Sequence, residues 1–178
     1  MIILGVDPGT LFTGYGVIYS DKKLNYLTSG IIKLSSKQSI PERLEIIYSS
    51  IDNIIKEYSP TEFSIETAFF GKNVQSALKI GYARGVAILA GVHGKLNIAE
   101  YSPREIKKSV VGSGSATKEQ VNFMVKTLLK TDKEFVKLDE TDALAAAICH
   151  SIRYKSFNVK SGSWKSFLDA NPHLIIKG

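Results

Sequence analysis

The order of apolar runs and chain breakers predicts a single α/β domain built on a mixed β-sheet. Three observations carry this. Ile2, Ile3, Leu4 and Val6 form a near-continuous apolar run with no helical period, which suits a central strand buried on both faces. Two further strand-like stretches follow across links too short for a crossover, so they pair antiparallel. An amphipathic helical stretch then precedes another short strand, and helix followed by strand is the pattern of a parallel crossover.

The first run stops at Asp7, followed at once by the turn signal Pro8-Gly9. A second strand covers Gly14 to Tyr19 and a third roughly Leu24 to Leu34, joined by the polar turn Asp21-Lys22-Lys23. Ser35 to Ser39 is a polar loop. Pro41 opens a helix, being tolerated in a first turn. Leu44, Ile47, Ile51, Ile54 and Tyr58 recur at three and four residues along it, and Ser59-Pro60 ends it. Glu62 to Glu66 returns to the sheet, and Thr67 to Asn73 is a loop.

Val74 to Val92 reads as a long helix with Val74, Leu78, Gly81, Gly85, Ile88 and Val92 on one side. Glycine is costly inside a helix. Gly81 and Gly85, with Ala77 nearby, therefore predict close approach of another backbone, either the sheet or a second subunit. Asn97 to Tyr101 is the last strand, ended near Pro103 and followed by a short helix. After the Gly112-Ser113-Gly114-Ser115 loop, Thr117 and Gln120 have the spacing of a capping box. Val121, Val125, Leu128 and Leu129 continue as an amphipathic helix. Asp139 to roughly Arg153 is a core helix whose alanines at 143, 145, 146 and 147 permit tight packing. This places one domain over residues 1–153 and a basic tail of uncertain structure over 154–178, with one short helical turn near Ser163 to Leu168.

At 178 residues the chain can bury a core without covalent staples. Its lone cysteine, Cys149, makes no intrachain disulfide, which suits a reducing compartment. No signal peptide is visible, and the longest central apolar stretch, Val86 to Val92, is too short to span a bilayer. A net charge of +6 favours a polyanionic partner, nucleic acid first. His93, His150 and His173 show no ligand spacing and read as structural or surface residues, although His150 lies two turns beyond Asp142 on the same helix.

Four acids occupy related places. Asp7 and Glu66 each end a strand, and Asp139 and Asp142 share one face at the start of the alanine-rich helix. Each has an ordinary structural reading. Asp before Pro-Gly caps turns, acids in a first turn favour the helix macrodipole, and Glu66 could be a surface acid. Brought together, however, ionised acids from separate elements repel one another, and hard divalent cations such as Mg²⁺ or Mn²⁺ relieve that repulsion. Two such ions can clamp the attacking and leaving oxygens of a phosphodiester.

The stretches I-L-G-V-D-P-G-T-L-F-T-G-Y-G-V-I, S-I-E-T-A-F-F-G-K-N, A-L-K-I-G-Y-A-R-G-V-A, V-V-G-S-G-S-A-T-K-E-Q-V and D-E-T-D-A-L-A-A-A-I-C-H occur in an order that resembles the RuvC family of Holliday junction resolvases. The resemblance implies a ribonuclease H-like three-layer α/β fold with a mixed five-stranded sheet flanked by helices. It implies a metal site made from Asp7, Glu66, Asp139 and Asp142, with two Mg²⁺ ions per subunit and Mn²⁺ as a substitute. It further implies a homodimer that resolves four-way DNA junctions in recombination and repair by paired hydrolytic nicks on opposed strands, leaving 5′-phosphate ends. Ruv branch-migration proteins as partners and a bacterial cytoplasm follow from the same source.

Supporting residues carry over by position. Phe69 matches an aromatic that the family places against junction bases, and Phe70 beside it either shares that role or anchors the loop. Lys107 and Lys118 match lysines near the scissile phosphate. Lys118 also stands at a predicted helix N-terminus, where amide N–H groups favour phosphate. Lys72, Arg84 and Lys108 are further candidate DNA-backbone contacts. Three other readings compete: a two-domain actin-like or sugar-kinase ATPase, a junction-binding module without catalysis, and a related nuclease of RNA–DNA hybrids, since a fold does not fix a substrate. One domain's length and the Glu66 and D-x-x-D pattern argue against the first, and clustered acids near phosphates against the second.

Overall fold

The computed structural model describes residues 1–67, 74–135 and 137–160, with side chains described as far as residue 155. In chain order the elements are β1 (Ile2–Asp7), β2 (Phe12–Ser20), β3 (Leu24–Lys33), α1 (Ile40–Tyr58), β4 (Glu62–Glu66), α2 (Val74–His93), β5 (Asn97–Tyr101), α3 (Pro103–Val111), α4 (Lys118–Leu129) and α5 (Leu138–Lys160). The strands form one mixed sheet in the order β3-β2-β1-β4-β5. The β1–β2 and β2–β3 pairs are antiparallel, as their short links require. The α1 crossover makes β1 and β4 parallel, and the α2 crossover does the same for β4 and β5.

The unbroken apolar run of β1 follows from this central position. Successive strand side chains point to opposite faces, and here both faces are covered. Leu4 and Val6, with Val17, Phe63 and Ile65, pack against Ile47 and Ile51 of α1 and Ala83 and Ala87 of α2. Ile3 and Ile18 pack on the other face against Ala145, Ala147 and Ile148 of α5, with Val121 and Val125 of α4 behind. The result is the three-layer arrangement that the family resemblance implied.

Helix α5 lies unusually close to the sheet. At Gly5 a Cβ would collide with the Ala143 carbonyl and meet Ala147, and at Gly14 it would collide with the Asp139 carbonyl. Glycine in the strands and alanine on the helix together allow that approach.

Local signals account for the helix starts. Thr117 and Gln120 form the expected capping box, and Ser39–Glu42 and Ser102–Glu105 form two more ahead of α1 and α3. Each leaves few N-terminal amides unpaired.

One alternative drops out and one element extends. Of the two partners open to Gly81 and Gly85, the sheet is excluded: among the described residues a Cβ at either would meet nothing within 4 Å. Ala83, Ala87 and Ala90 form the inward stripe of α2 instead, while Val74, Leu78 and Val92 face outward. A helical period defines a face but not which side of it is buried. Second, α5 continues past Arg153 to Lys160, because no breaker interrupts it there. The turn expected near Ser163 to Leu168 lies outside the described residues. Among the described residues, no helix is long and apolar enough to cross a membrane.

Candidate metal centre

The parallel pairing of β1 and β4 aligns Val6 with Ile65, so Asp7 and Glu66 leave the sheet side by side at the same edge. Helix α5 begins over that edge: its Asp139 carbonyl packs against Gly14 of β2, and Gly14 is the register partner of Asp7. Asp139 and Asp142, three residues apart on one helix face, reach the same place from the start of α5.

The electrostatics show that the four acids interact. Burial raises the Asp7 carboxyl well above the usual carboxylate range, with the negative charges of Glu66, Asp142 and Asp139 acting in the same direction and Lys118 opposing them. Glu66 is pushed up to about 7, chiefly by burial and then by Asp142, against Lys118 and Lys107. Lys118 Nζ donates to Asp142 Oδ2 at 3.0 Å. That hydrogen bond is the largest influence holding the Lys118 ammonium above its ordinary value. Beside these groups lies a cleft of about 130 Å³ lined by Glu66, Pro103, Ile106, Lys107, Lys118, Val121 and Asp142.

Among the described residues no three potential ligands meet at the spacing of a preformed metal cage. The donor set nonetheless fits a divalent cation. It is all carboxylate oxygen, and its surplus negative charge appears in the raised Asp7 and Glu66. Mg²⁺ is commonly held by one or two carboxylates, waters and substrate phosphates rather than by an all-protein cage.

The other candidates divide. Lys107 lines the cleft, and Lys108 is exposed on α3. Arg84 forms an ion pair with Glu100 that joins α2 to β5. Phe69, Phe70 and Lys72 lie outside the described residues. His150 belongs to a buried network at the far end of β4: its Nδ1 is 2.8 Å from Tyr101 Oη, its Nε2 is 3.1 Å from Glu62 Oε2, and Asn97 donates to Glu62 Oε1. His93 Nδ1 is 2.7 Å from Tyr48 Oη, and His173 lies outside the described residues. Sequence reasoning passed over Glu140 and Lys133. Glu140 is 1% exposed although it lies between the two candidate aspartates, and no local pattern distinguishes it from them.

The antiparallel hairpins, the two parallel crossovers and the helices on both faces define the ribonuclease H-like class of α/β protein. The family model described as "Crossover junction endodeoxyribonuclease RuvC" matches residues 3–150. A protein of that description from Chloroherpeton thalassium is 44% identical over 186 residues, spanning 99% of this chain and 100% of its own. Another from Natranaerobius thermophilus is 46% identical over 156 residues, spanning 87% and 97%. Thermus thermophilus RuvC, solved in complex with a Holliday junction substrate, superposes with a TM-score of 0.83 at 27% identity, covering 88% of this chain and 96% of that one. The chain belongs to the RuvC family of crossover junction endodeoxyribonucleases.

Proposed function

We propose that this protein resolves four-way DNA junctions by hydrolysing one phosphodiester in each of two opposed strands, using divalent metal. The observation that carries the reading is the convergence of Asp7, Glu66, Asp139 and Asp142 from two strand ends and a helix start. Here Glu66, Asp142 and Asp139 raise the cost of ionising Asp7, and Asp142 raises that of Glu66, a cost that a cation removes. Asp7, Glu66, Asp139 and Asp142 are the residues that would hold the metal, Mg²⁺ by donor type, with two ions per subunit in the two-metal arrangement. A bound divalent cation supplies activation of water and stabilisation of the charge on the leaving oxygen.

The chain's own residues do the rest. Lys107 and Lys118 face the cleft with positive charge, suited to a scissile phosphate. Lys118 also opens α4, and the backbone N–H groups of a helix N-terminus favour phosphate. Water attack with departure of the 3′-oxygen leaves 5′-phosphate ends. Phe69, with Phe70, is assigned to stacking on junction bases, and Lys72, Arg84 and Lys108 to the DNA backbone, Arg84 after release from Glu100.

Paired nicks require two active sites, hence a homodimer. The outward face of α2 supports one: Leu78, Tyr82, Leu89 and Val92 are each about half exposed and, with Gly85, recur at alternating spacings of four and three along one stripe. An apolar stripe that the described residues leave uncovered, with Gly81 and Gly85 open for close approach, suits a second copy. Action beside Ruv branch-migration proteins in a bacterial cytoplasm belongs to the same reading.

The test is strand cleavage of a synthetic four-way junction against a linear duplex of identical sequence, with Mg²⁺ and with EDTA. Paired Mg²⁺-dependent nicks on opposed strands of the junction alone are expected. Equal cutting of both substrates would discard junction specificity, and junction binding without cleavage would leave a binding module.

A further inference from the structure

Helix α5 carries two of the four site acids, so its height and rotation over the sheet decide where half of the ligand set stands. Glu140, between those acids, turns away from them toward β3 and is 1% exposed. A buried carboxylate is costly unless it is paired and hydrogen-bonded. Glu140 is both. Its Oε1 accepts from Ser29 Oγ at 2.7 Å and forms an ion pair with Lys133.

Lys133 precedes α5 by five residues and directs its ammonium into the same spot. Its Nζ also donates to Tyr26 Oη at 3.0 Å, to the Ser29 carbonyl at 3.0 Å and to Ser29 Oγ at 3.1 Å. The Tyr26 and Phe135 rings lie 5.6 and 5.8 Å from it. One residue before the helix, Lys137 Nζ stands 3.2 Å from the centre of the Phe12 ring on β2. The first turn of α5 is therefore fixed from two directions, by the Gly14 floor beneath Asp139 and by the Lys133–Glu140–Ser29 tether to β3.

We propose that Glu140 and Lys133 are positioning residues for the metal centre: without touching metal or DNA, they hold Asp139 and Asp142 at the distance from Asp7 and Glu66 that cation binding requires. The inference rests on the metal reading above. Groups that orient metal ligands in this way typically change affinity or activity by about 10–100-fold when altered. A residue that only stabilises the core would lower the melting temperature and leave metal affinity alone.

The experiment is calorimetric titration of the full-length protein with Mn²⁺, without DNA, alongside thermal melting and junction binding in EDTA. Glu140→Gln and Lys133→Met are compared with wild type and with Ile51→Ala, a fully buried substitution on the opposite face of the sheet. The expected result is Mn²⁺ affinity weakened at least about tenfold in both tether variants, near wild type in Ile51→Ala, partly restored by Lys133→Arg, and unchanged junction binding in EDTA. Lys133 is one-third exposed, so its variants keep the test alive if Glu140→Gln does not fold. Wild-type Mn²⁺ affinity in the tether variants, or a loss equal to that of Ile51→Ala, would overturn the proposal while leaving the metal reading intact. Failure of the wild-type protein to take up Mn²⁺, both alone and with a junction bound, would remove the metal reading and the proposal with it.

Discussion

Replacing Glu66 by Gln should stabilise the metal-free protein while abolishing cleavage, and the pH dependence of the gain follows from the site. The Glu66 carboxyl is raised from 4.5 to about 7 in the folded chain, first by burial and then by Asp142. Because the folded state holds this proton more tightly than the unfolded state, the associated stability is fully present below about pH 4.5. It is lost as pH rises toward and through about 7. At about 1.36 kcal/mol per pH unit the loss has a ceiling of about 3 kcal/mol by pH 8. Solvent screening of a carboxyl that is not fully buried brings the working range to about 1–3 kcal/mol. Glutamine does not ionise, so Glu66→Gln escapes that loss. For a domain of this size, roughly 3–10 °C in melting temperature is expected at pH 8, shrinking toward zero near pH 4.5. Melts by circular dichroism in EDTA at several pH values measure it. Mg²⁺ added at pH 8 should raise the wild-type melting temperature and move the variant little. A variant no more stable than wild type at pH 8 would refute the account of Glu66 as an uncompensated acid.

Three further outcomes follow from other parts of the molecule. Asp7→Asn should eliminate nicking yet retain junction binding in gel-shift assays, because the proposed reading gives Asp7 to metal and not to DNA; parallel loss of binding would count against the assignment. Gly14→Ala should destabilise by about 1–3 kcal/mol in chemical denaturation and reduce cleavage, since its Cβ collides with the Asp139 carbonyl; unchanged stability would show that α5 yields freely. Leu78→Glu, on the outward face of α2, should weaken self-association at least about tenfold by sedimentation and lose paired nicking; an unchanged dimer would move the interface elsewhere.

Much of the framework was legible in local sequence. The two-sided burial of β1 appears as an unbroken apolar run, the crossovers as helix followed by strand, and the start of α4 as Thr117 with Gln120. The positions of the four candidate acids were legible for the same reason: Asp7 and Glu66 mark strand ends, and Asp139 and Asp142 mark the start of a helix. The tertiary structure decided what period and propensity leave open. The spacing of Leu78, Gly81 and Gly85 describes one side of α2, but only packing shows that Ala83, Ala87 and Ala90 face the sheet and that the glycines face outward. Asp139, Glu140 and Asp142 are alike in charge and close in sequence, yet Glu140 is rotated by about 100° from Asp139. It ends in the interior against Ser29, 111 residues away in the chain. Sequence determined where acids could stand, because backbone geometry is local. Which of them converge at one sheet edge and which turn into the interior was decided by contacts between distant segments, and those exist only once the chain has folded.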